Sequence, residues 1–374
     1  MIKEYTSLGF MSGTSGDGVD ASIIYTDGDK KYDVIKDQYF EYDLDIYQKI
    51  HSLKEKIYNI KQLEKYKNEL IDLEKKITLF HAKITRELIK DEKIDIVGFH
   101  GQTIYHSPQE KISRQLGDGK LLSQLLKKNI VYNFRKNDLE NGGEGAPLTP
   151  IFHKLIASKL KLHLPVCILN IGGISNITII ENKNILSIFS KDIGPGNCLI
   201  DSWVRNNSSK KIDLNGSLAN SGIVNEIILE QAQELFSSRT SQNFFSLDVN
   251  DFDVSFARGL TLEDGAATLT NFTAKIISSA IISSVKNKNL KFIEVVICGG
   301  GRKNKILIEN IKTNLDKNIK VKNIDDYGIN GDFIESQAFA FLAVRSTLGL
   351  PISFPNTTGC KIATTGVKLL TLDK

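Results

Sequence analysis

Short apolar runs that end in glycine turns dominate the pattern of this chain. Residues 7–11 (SLGFM) form one such run, which stops at a glycine-rich turn, and residues 21–25 (ASIIY) form a second beyond it. Runs of this length bounded by turn residues predict strands. The pair predicts a hairpin, extended into an antiparallel meander by residues 32–40. Over residues 45–89 the period changes: Leu and Ile recur at i, i+3 and i+4 among Lys and Glu, which predicts helix. Residues 95–106 (DIVGFHGQTIYH) predict a buried strand running into a polar loop, 117–128 a turn and a helix, and 129–135 another strand. The segment NDLENGGEGAPLTP, residues 137–150, is the densest turn cluster and reads as a domain boundary.

Beyond it the pattern starts again. Residues 165–180 (PVCILNIGGISNITII) place Gly172 and Gly173 between two β-rich runs, and 187–204 predict a strand, a GPGN turn and a helix. Residues 262–285 predict a long apolar helix, and 292–307 (FIEVVICGGGRKNKIL) a strand, a triple-glycine turn and a helix. A helix containing Glu335 is expected over 331–348, and no regular pattern over 351–374. The class is α/β, in two halves that each open on a hairpin with a glycine turn. Two such halves facing one another would set their glycine turns across an interdomain cleft, where ligands collect.

Composition narrows the function classes. The net charge of +4, from 48 basic and 44 acidic residues, is spread along the chain and argues against nucleic-acid binding. No apolar run approaches the roughly 18 residues of a membrane span. The cysteines, Cys167, Cys198, Cys298 and Cys360, show no CxxC spacing, which argues against zinc and fits a reducing compartment. The start, MIKEYTSLGF, lacks the apolar core of a signal peptide, so a cytoplasmic protein is expected.

Candidate chemistry gathers at the glycine turns. Gly13, Thr14, Ser15, Gly16, Asp17, Gly18, Val19 and Asp20 are not a P-loop, because no Lys-Ser or Lys-Thr follows. Together with Gly172 and Gly173, with Gly194, Gly196 and Asn197, and with Gly299, Gly300 and Gly301, they offer backbone N–H groups at strand ends to an anion such as phosphate. Asp17 either holds Mg²⁺, directly or through water, or closes the turn. Asp192, between an apolar strand and a helix start, is either a general base or a cap. His100, Gln102 and Thr103 end a strand, with His106 beyond, and Arg135 and Asp138 follow another. An Arg so placed pairs with a carboxylate or phosphate, or makes a structural hydrogen bond. Glu335, in the otherwise apolar SQAFAFLA helix, needs a partner if buried.

As a set, FMSGTSGDGVDAS, GFHGQTIYH, LGDGKLL, VYNFRKNDLENGGEGAPLTP, LNIGGISNIT, DIGPGNCLID, ATLTNFTA, VICGGGRKN and ESQAFAFLA, in this order from residue 9 to about 343, resemble the 1,6-anhydro-N-acetylmuramic acid kinases. These belong to the actin, sugar kinase and Hsp70 ATPase superfamily. The resemblance implies a two-domain actin-like ATPase (sugar kinase) fold with an interdomain cleft. It implies an N-terminal domain of residues 1–137, completed by 345–374, and a second of 138–344. ATP phosphates would meet residues 13–20 and the hairpin of Gly172 and Gly173, the adenosine would lie near 299–301, and Mg²⁺ would sit at Asp17. Asp192 corresponds to the catalytic base, and His100, Thr103, Arg135 and Glu335 fall around the sugar. Water would open the anhydro bridge and the freed O6 would take the γ-phosphoryl of ATP. A homodimer is also implied. Three departures stand out: Gly16 where the family has Leu, Asn133 where it has Asp, and FSSRTSQNFFS near 236–246 in place of a Pro-Pro-Lys-Ser-Thr-Gly-Arg segment. They leave open a related kinase acting on levoglucosan, or a non-catalytic binding member of the fold.

Overall fold

The computed structural model describes residues 3–90, 92–239, 247, 249–290 and 293–367. They divide into two compact units, Met1–Lys159 with Phe333–Lys374, and Leu160–Asp332.

In the first unit the hairpin and meander form as the alternation predicts: β1 (Tyr5–Ser12), β2 (Gly18–Thr26) and β3 (Tyr32–Glu41) are antiparallel neighbours. The strand β4 (Ile96–Ser107) lies parallel to β1 on its other side. Its first half pairs in parallel with β6 (Asn129–Tyr132), and its second half pairs antiparallel with β5 (Ile112–Leu116). The polar loop expected at the end of the 95–106 segment is therefore strand as far as Ser107. Its polar side chains gain backbone pairing from β5, which the sequence reading did not find.

Period-two alternation sorts β1 into two faces. Leu8 and Phe10 enter a core shared with Leu73 and Ile77 of the helix Lys67–Leu88 and with Ile50 of the helix Leu44–Lys56. Ser7 and Gly9 face the helix Ile334–Thr347, which is buried on nearly every side. That contact is backbone against backbone. A Cβ on Gly9 would lie 2.1 Å from the Ser336 carbonyl oxygen, and one on its register partner Gly98 would lie 2.3 Å from that of Phe339. Polar pairs lock the seam. Ser7 Oγ donates to Ala340 O at 2.8 Å, Ser22 Oγ and Ser336 Oγ are 2.6 Å apart, and Gln337 Nε2 donates to both Asp37 carboxylate oxygens at 3.1 and 2.9 Å. The Tyr32 hydroxyl donates to Gln337 Oε1.

The boundary expected inside 137–150 is not where the units part. The 136–145 stretch is stitched to the C-terminal segment: Glu144 N–H donates to Thr358 O at 2.9 Å and Lys361 N–H to Asn141 O at 3.1 Å. The chain leaves the first unit only after the helix Pro150–Lys159, and residues from Phe333 belong to it again. The boundaries read from sequence, after 137 and after 344, thus fall within the first unit. Turn density marks loops, and here the loop is a packed one. The C-terminal stretch, expected to be irregular, carries a two-stranded ladder of Pro351–Ser353 with Thr364–Thr365.

The second unit repeats the first sheet's order. Strands β7 (Val166–Ile171), β8 (Ile174–Ile180) and β9 (Ile188–Pro195) form an antiparallel meander. Parallel to β7 run β10 (Ile293–Cys298) and then β11 (Ile319–Asn323), the latter not foreseen. The orders β3-β2-β1-β4-β6 and β9-β8-β7-β10-β11 match strand for strand, the duplicated α/β arrangement of the actin-like ATPase fold. The helices Leu262–Asn287 and Lys305–Asn314 close the core of this unit over Ile277, Val295 and Leu307. No helix among the described residues is long and apolar enough to cross a membrane.

The seam sets a prediction. Gly9→Ala and Gly98→Ala place a methyl against main-chain atoms that cannot rotate away, so each should cost about 2–3 kcal/mol or more. Urea unfolding of each variant beside wild type measures this, and midpoints within error of wild type would refute the close approach.

Candidate active site

The β1–β2 connection is held at several points. Gly16 N–H donates to Gly13 O at 3.2 Å, Gln102 Nε2 donates to the same carbonyl at 3.0 Å, and Lys54 Nζ donates to Thr14 O at 2.6 Å. Ser15 Oγ donates to Asp17 Oδ1 at 2.6 Å. Thr14 and Ser15 are exposed at the tip. Gly16 has φ +64°, and a Cβ there would lie 2.8 Å from Ile50 Cγ2. Glycine is the residue that relieves both constraints, which accounts for its presence where the family has Leu. Not all of residues 13–20 can meet a ligand through their side chains. Val19 is wholly buried, and Gly18 packs against Phe40 within β2.

The residues expected around a sugar come together within the first unit. Asn133 takes up φ +55°, a conformation that Asn tolerates better than most residues, and so turns the chain from β6 into Arg135. The Arg135 guanidinium lies 3.1 Å from His100 Nε2 and donates to Gly145 O at 2.9 Å. An arginine only donates, so His100 Nε2 must accept, and its Nδ1 carries the proton given to Gly101 O at 2.8 Å. Burial, then the neighbouring Arg135, holds His100 down to about 3. The same two causes, in the same order, hold His106 down to about 3, and its Nδ1 lies 2.8 Å from Ser113 Oγ. Glu335 responds to the same guanidinium. Burial raises its pKa and Arg135 pulls it back. Thr103 Oγ1 accepts from Gln115 Nε2 at 3.3 Å farther along β4. His106, noted in the sequence beyond the end of the strand, belongs to this polar cluster, and so does Gln115, which was not among the candidates. Gln115 sits on the strand that the hydrophobic pattern missed.

In the second unit three glycine turns meet. Gly196 and Cys198 N–H both donate to Gly173 O, at 2.9 and 3.1 Å, and Asn197 N–H donates to Gly172 O at 2.8 Å. The amides of Gly196 and Asn197, expected to face an anion, are thus already spent inside the protein. Any ligand contact from this turn falls to the Asn197 side chain, which lies beside Gly300 and Gly301. Gly194 packs against Ile276. Gly299 and Gly301 are hemmed in by Asn170 and Ile171, whereas a Cβ on Gly300 would meet nothing nearer than Asn197 Nδ2 at 3.9 Å. Gly172 is similarly open, with Ile174 O at 3.6 Å, and so is Gly13 in the first unit. Arg302 fixes the turn. It bonds Gly299 O at 3.0 Å, Asp332 at 2.6 Å and Asp325 through two nitrogens at 2.5 and 3.0 Å. Asp192, inside β9 opposite Asn176, accepts the Leu247 N–H at 2.8 Å, and the N-cap position of the following helix is Asn197 instead. Residues 240–246, the larger part of the atypical 236–246 segment, lie outside the described residues.

Comparison with known proteins bears on the whole chain. The family described as anhydro-N-acetylmuramic acid kinase matches residues 5–369. A protein of that name from Pelagibacter ubique (strain HTCC1062) is 56% identical over 363 residues, covering 96% of this chain and 97% of that one. Relatives of the same name from Agrobacterium fabrum and Rhodopseudomonas palustris are 36% and 35% identical, each over 96% of this chain and 97% and 98% of their own.

Two predictions follow from the geometry. Gly300→Ala and Gly172→Ala should leave the melting temperature near wild type, while Gly301→Ala and Gly299→Ala should lower it clearly. Thermal unfolding of the four proteins decides this, and equal losses in all four would remove the distinction. The second concerns pH. His81, held to about 4 by burial, and His100, His106 and His153, each held to about 3, are neutral when folded. The unfolded chain protonates them near 6.5, so it binds more protons and stability falls as pH drops below that value. Each histidine contributes a slope of up to about 1.4 kcal/mol per pH unit. Urea titrations at pH 7 and 5.5 should show the loss, and equal stability at both would contradict it.

Proposed function

The chain belongs to the anhydro-N-acetylmuramic acid kinase family, and from that premise we propose that it uses Mg-ATP to convert an anhydro-N-acetylmuramic acid into N-acetylmuramic acid 6-phosphate by coupled hydrolysis and phosphoryl transfer. The observation that carries the reading is the match over nearly the full length, at 56% identity to a relative of that name.

The proposed roles follow from chemistry. Asp192, oriented by the Leu247 amide, takes a proton from water as its oxygen bonds to C1 of the sugar. The C1–O6 bond breaks, and O6, now carrying the electron pair, bonds to the γ-phosphorus while ADP leaves. Arg135, held by Gly145 O and His100, would offer the sugar a fixed cation for the carboxylate of its lactyl group. His100 cannot serve as an acid near neutral pH, because burial and Arg135 keep it neutral. Its part is to hold Arg135. Thr14, Ser15 and the open faces of Gly13, Gly172 and Gly300 support contact with phosphates and nucleotide.

Asp17, half-buried beside the exposed Thr14 and Ser15, with Oδ1 accepting from Ser15 Oγ, would suit a magnesium ion that keeps several waters and shares a single carboxylate with nucleotide phosphates. Such an ion would supply charge neutralisation at the transferring phosphoryl group. A cytoplasmic location and a homodimer are carried over as part of the same proposal.

The test is turnover with Mg-ATP in H₂¹⁸O. The expected product is a phosphorylated muramic acid carrying one ¹⁸O, and Asp192→Asn should lose several orders of magnitude in kcat. Turnover of levoglucosan alone would move the substrate. Near-normal activity of Asp192→Asn would end its role as base.

A further inference from the structure

Resting on the sugar-kinase reading above, we propose that Asp138 is a positioning residue for the sugar. It holds Arg135 in place through Gly145, with the C-terminal segment acting as the brace.

Asp138 lies one helical turn after Arg135, in the short helix Lys136–Glu140, and is 1% exposed. A buried carboxylate is costly unless its oxygens are used. Both are. Oδ2 accepts the Gly145 N–H at 2.7 Å, and Oδ1 accepts the Thr358 hydroxyl at 2.6 Å. Gly145 sits at φ +75°, and its carbonyl, one peptide unit from the amide held by Asp138, accepts from Arg135 Nη1 at 2.9 Å. The other end of the guanidinium meets His100. Arg135 is therefore gripped at two points, and one of them is itself gripped by Asp138.

The space around this carboxylate is closed. A Cβ on Gly143 would lie 2.2 Å from Asp138 Oδ2, so the chain passes too closely for any side chain at 143. Gly143 N–H donates to Asp138 O at 2.9 Å, and Glu144 N–H donates to Thr358 O at 2.9 Å. Thr358 thus fastens the loop twice, once by its hydroxyl and once by its carbonyl. The bonds of this arrangement end on Arg135, the residue proposed to meet the sugar, so the effect of loosening it should fall on the sugar.

The test uses full-length protein and separates the two Michaelis constants. Asp138→Asn keeps the shape and one acceptor but loses the charge. It should raise KM for anhydro-N-acetylmuramic acid about tenfold, as expected for one charge-assisted hydrogen bond, with KM for ATP unchanged. Thr358→Val should raise the sugar KM about threefold, a weaker effect because the bond to Gly145 survives, and Thr358→Ser should restore it. In an Arg135→Lys background, Asp138→Asn should add little, because the group it positions is gone. Multiplicative effects in the double variant, or parallel rises in both KM values, would reduce Asp138 to a structural residue and overturn the proposal. Should Asp138→Asn fail to fold, the Thr358→Val and Thr358→Ser pair still decides the matter. Wild-type turnover is the control. Its absence sinks the function reading, whereas normal turnover with an unmoved sugar KM in the variants sinks only the role of Asp138.

Discussion

The first unit depends on one contact, the helix Ile334–Thr347 lying main chain to main chain on Gly9 and Gly98. Because two adjacent strands lack side chains at that point, the helix sinks onto the sheet instead of resting on top of it. Three consequences follow from the same helix. Gln337 reaches Asp37 and Tyr32, Phe339 places its ring 4.5 Å from His100 and 5.1 Å from Phe134, and Glu335 comes within the field of Arg135. Raising the helix by the width of a methyl group would loosen all three at once. The position of the site side chains is thus a packing result before it is an electrostatic one.

Within that frame, burial decides the charges. Protonating His100 or His106 would set a second cation in a dry environment already occupied by Arg135, so both stay neutral. Glu335 meets two opposed influences, burial favouring its acid form and Arg135 its carboxylate. The cluster presents one permanent cation held by neutral hydrogen-bonding groups. Such an arrangement suits recognition of an anionic group better than proton transfer.

Much of this was legible in the sequence because short runs ended by glycine have few alternatives. The first meander, the second hairpin and the strand–glycine–helix unit around 299–301 were readable in this way, whereas the gathering of His100, Arg135 and Glu335 was implied only by the family resemblance. The unread parts share a cause. β5, with the polar sequence Ile112–Leu116, owes its conformation to pairing with β4 and shows almost no apolar alternation. The segment 137–150 has turn composition, yet its turns are held by Thr358 and Lys361, more than two hundred residues away in sequence. Local pattern cannot reveal a partner at that separation, which is why a packed loop read as a boundary.

Glycine-rich motifs conflate two physical demands, and only the structure separates them. At Gly16 the backbone conformation requires glycine, and at Gly299 and Gly301 the neighbouring strand ends do. At Gly13, Gly172 and Gly300 a Cβ would meet its neighbours only at ordinary contact distance, Ser15 Oγ at 3.7 Å, Ile174 O at 3.6 Å and Asn197 Nδ2 at 3.9 Å. Glycine at such a position gains no packing and costs conformational entropy in the unfolded chain. Packing within the chain sets no glycine there, which leaves the main chain open to the ligand approach proposed above. By this argument the departure at Gly16 is no mark of a degenerate loop. It suits a turn of positive φ packed against Ile50.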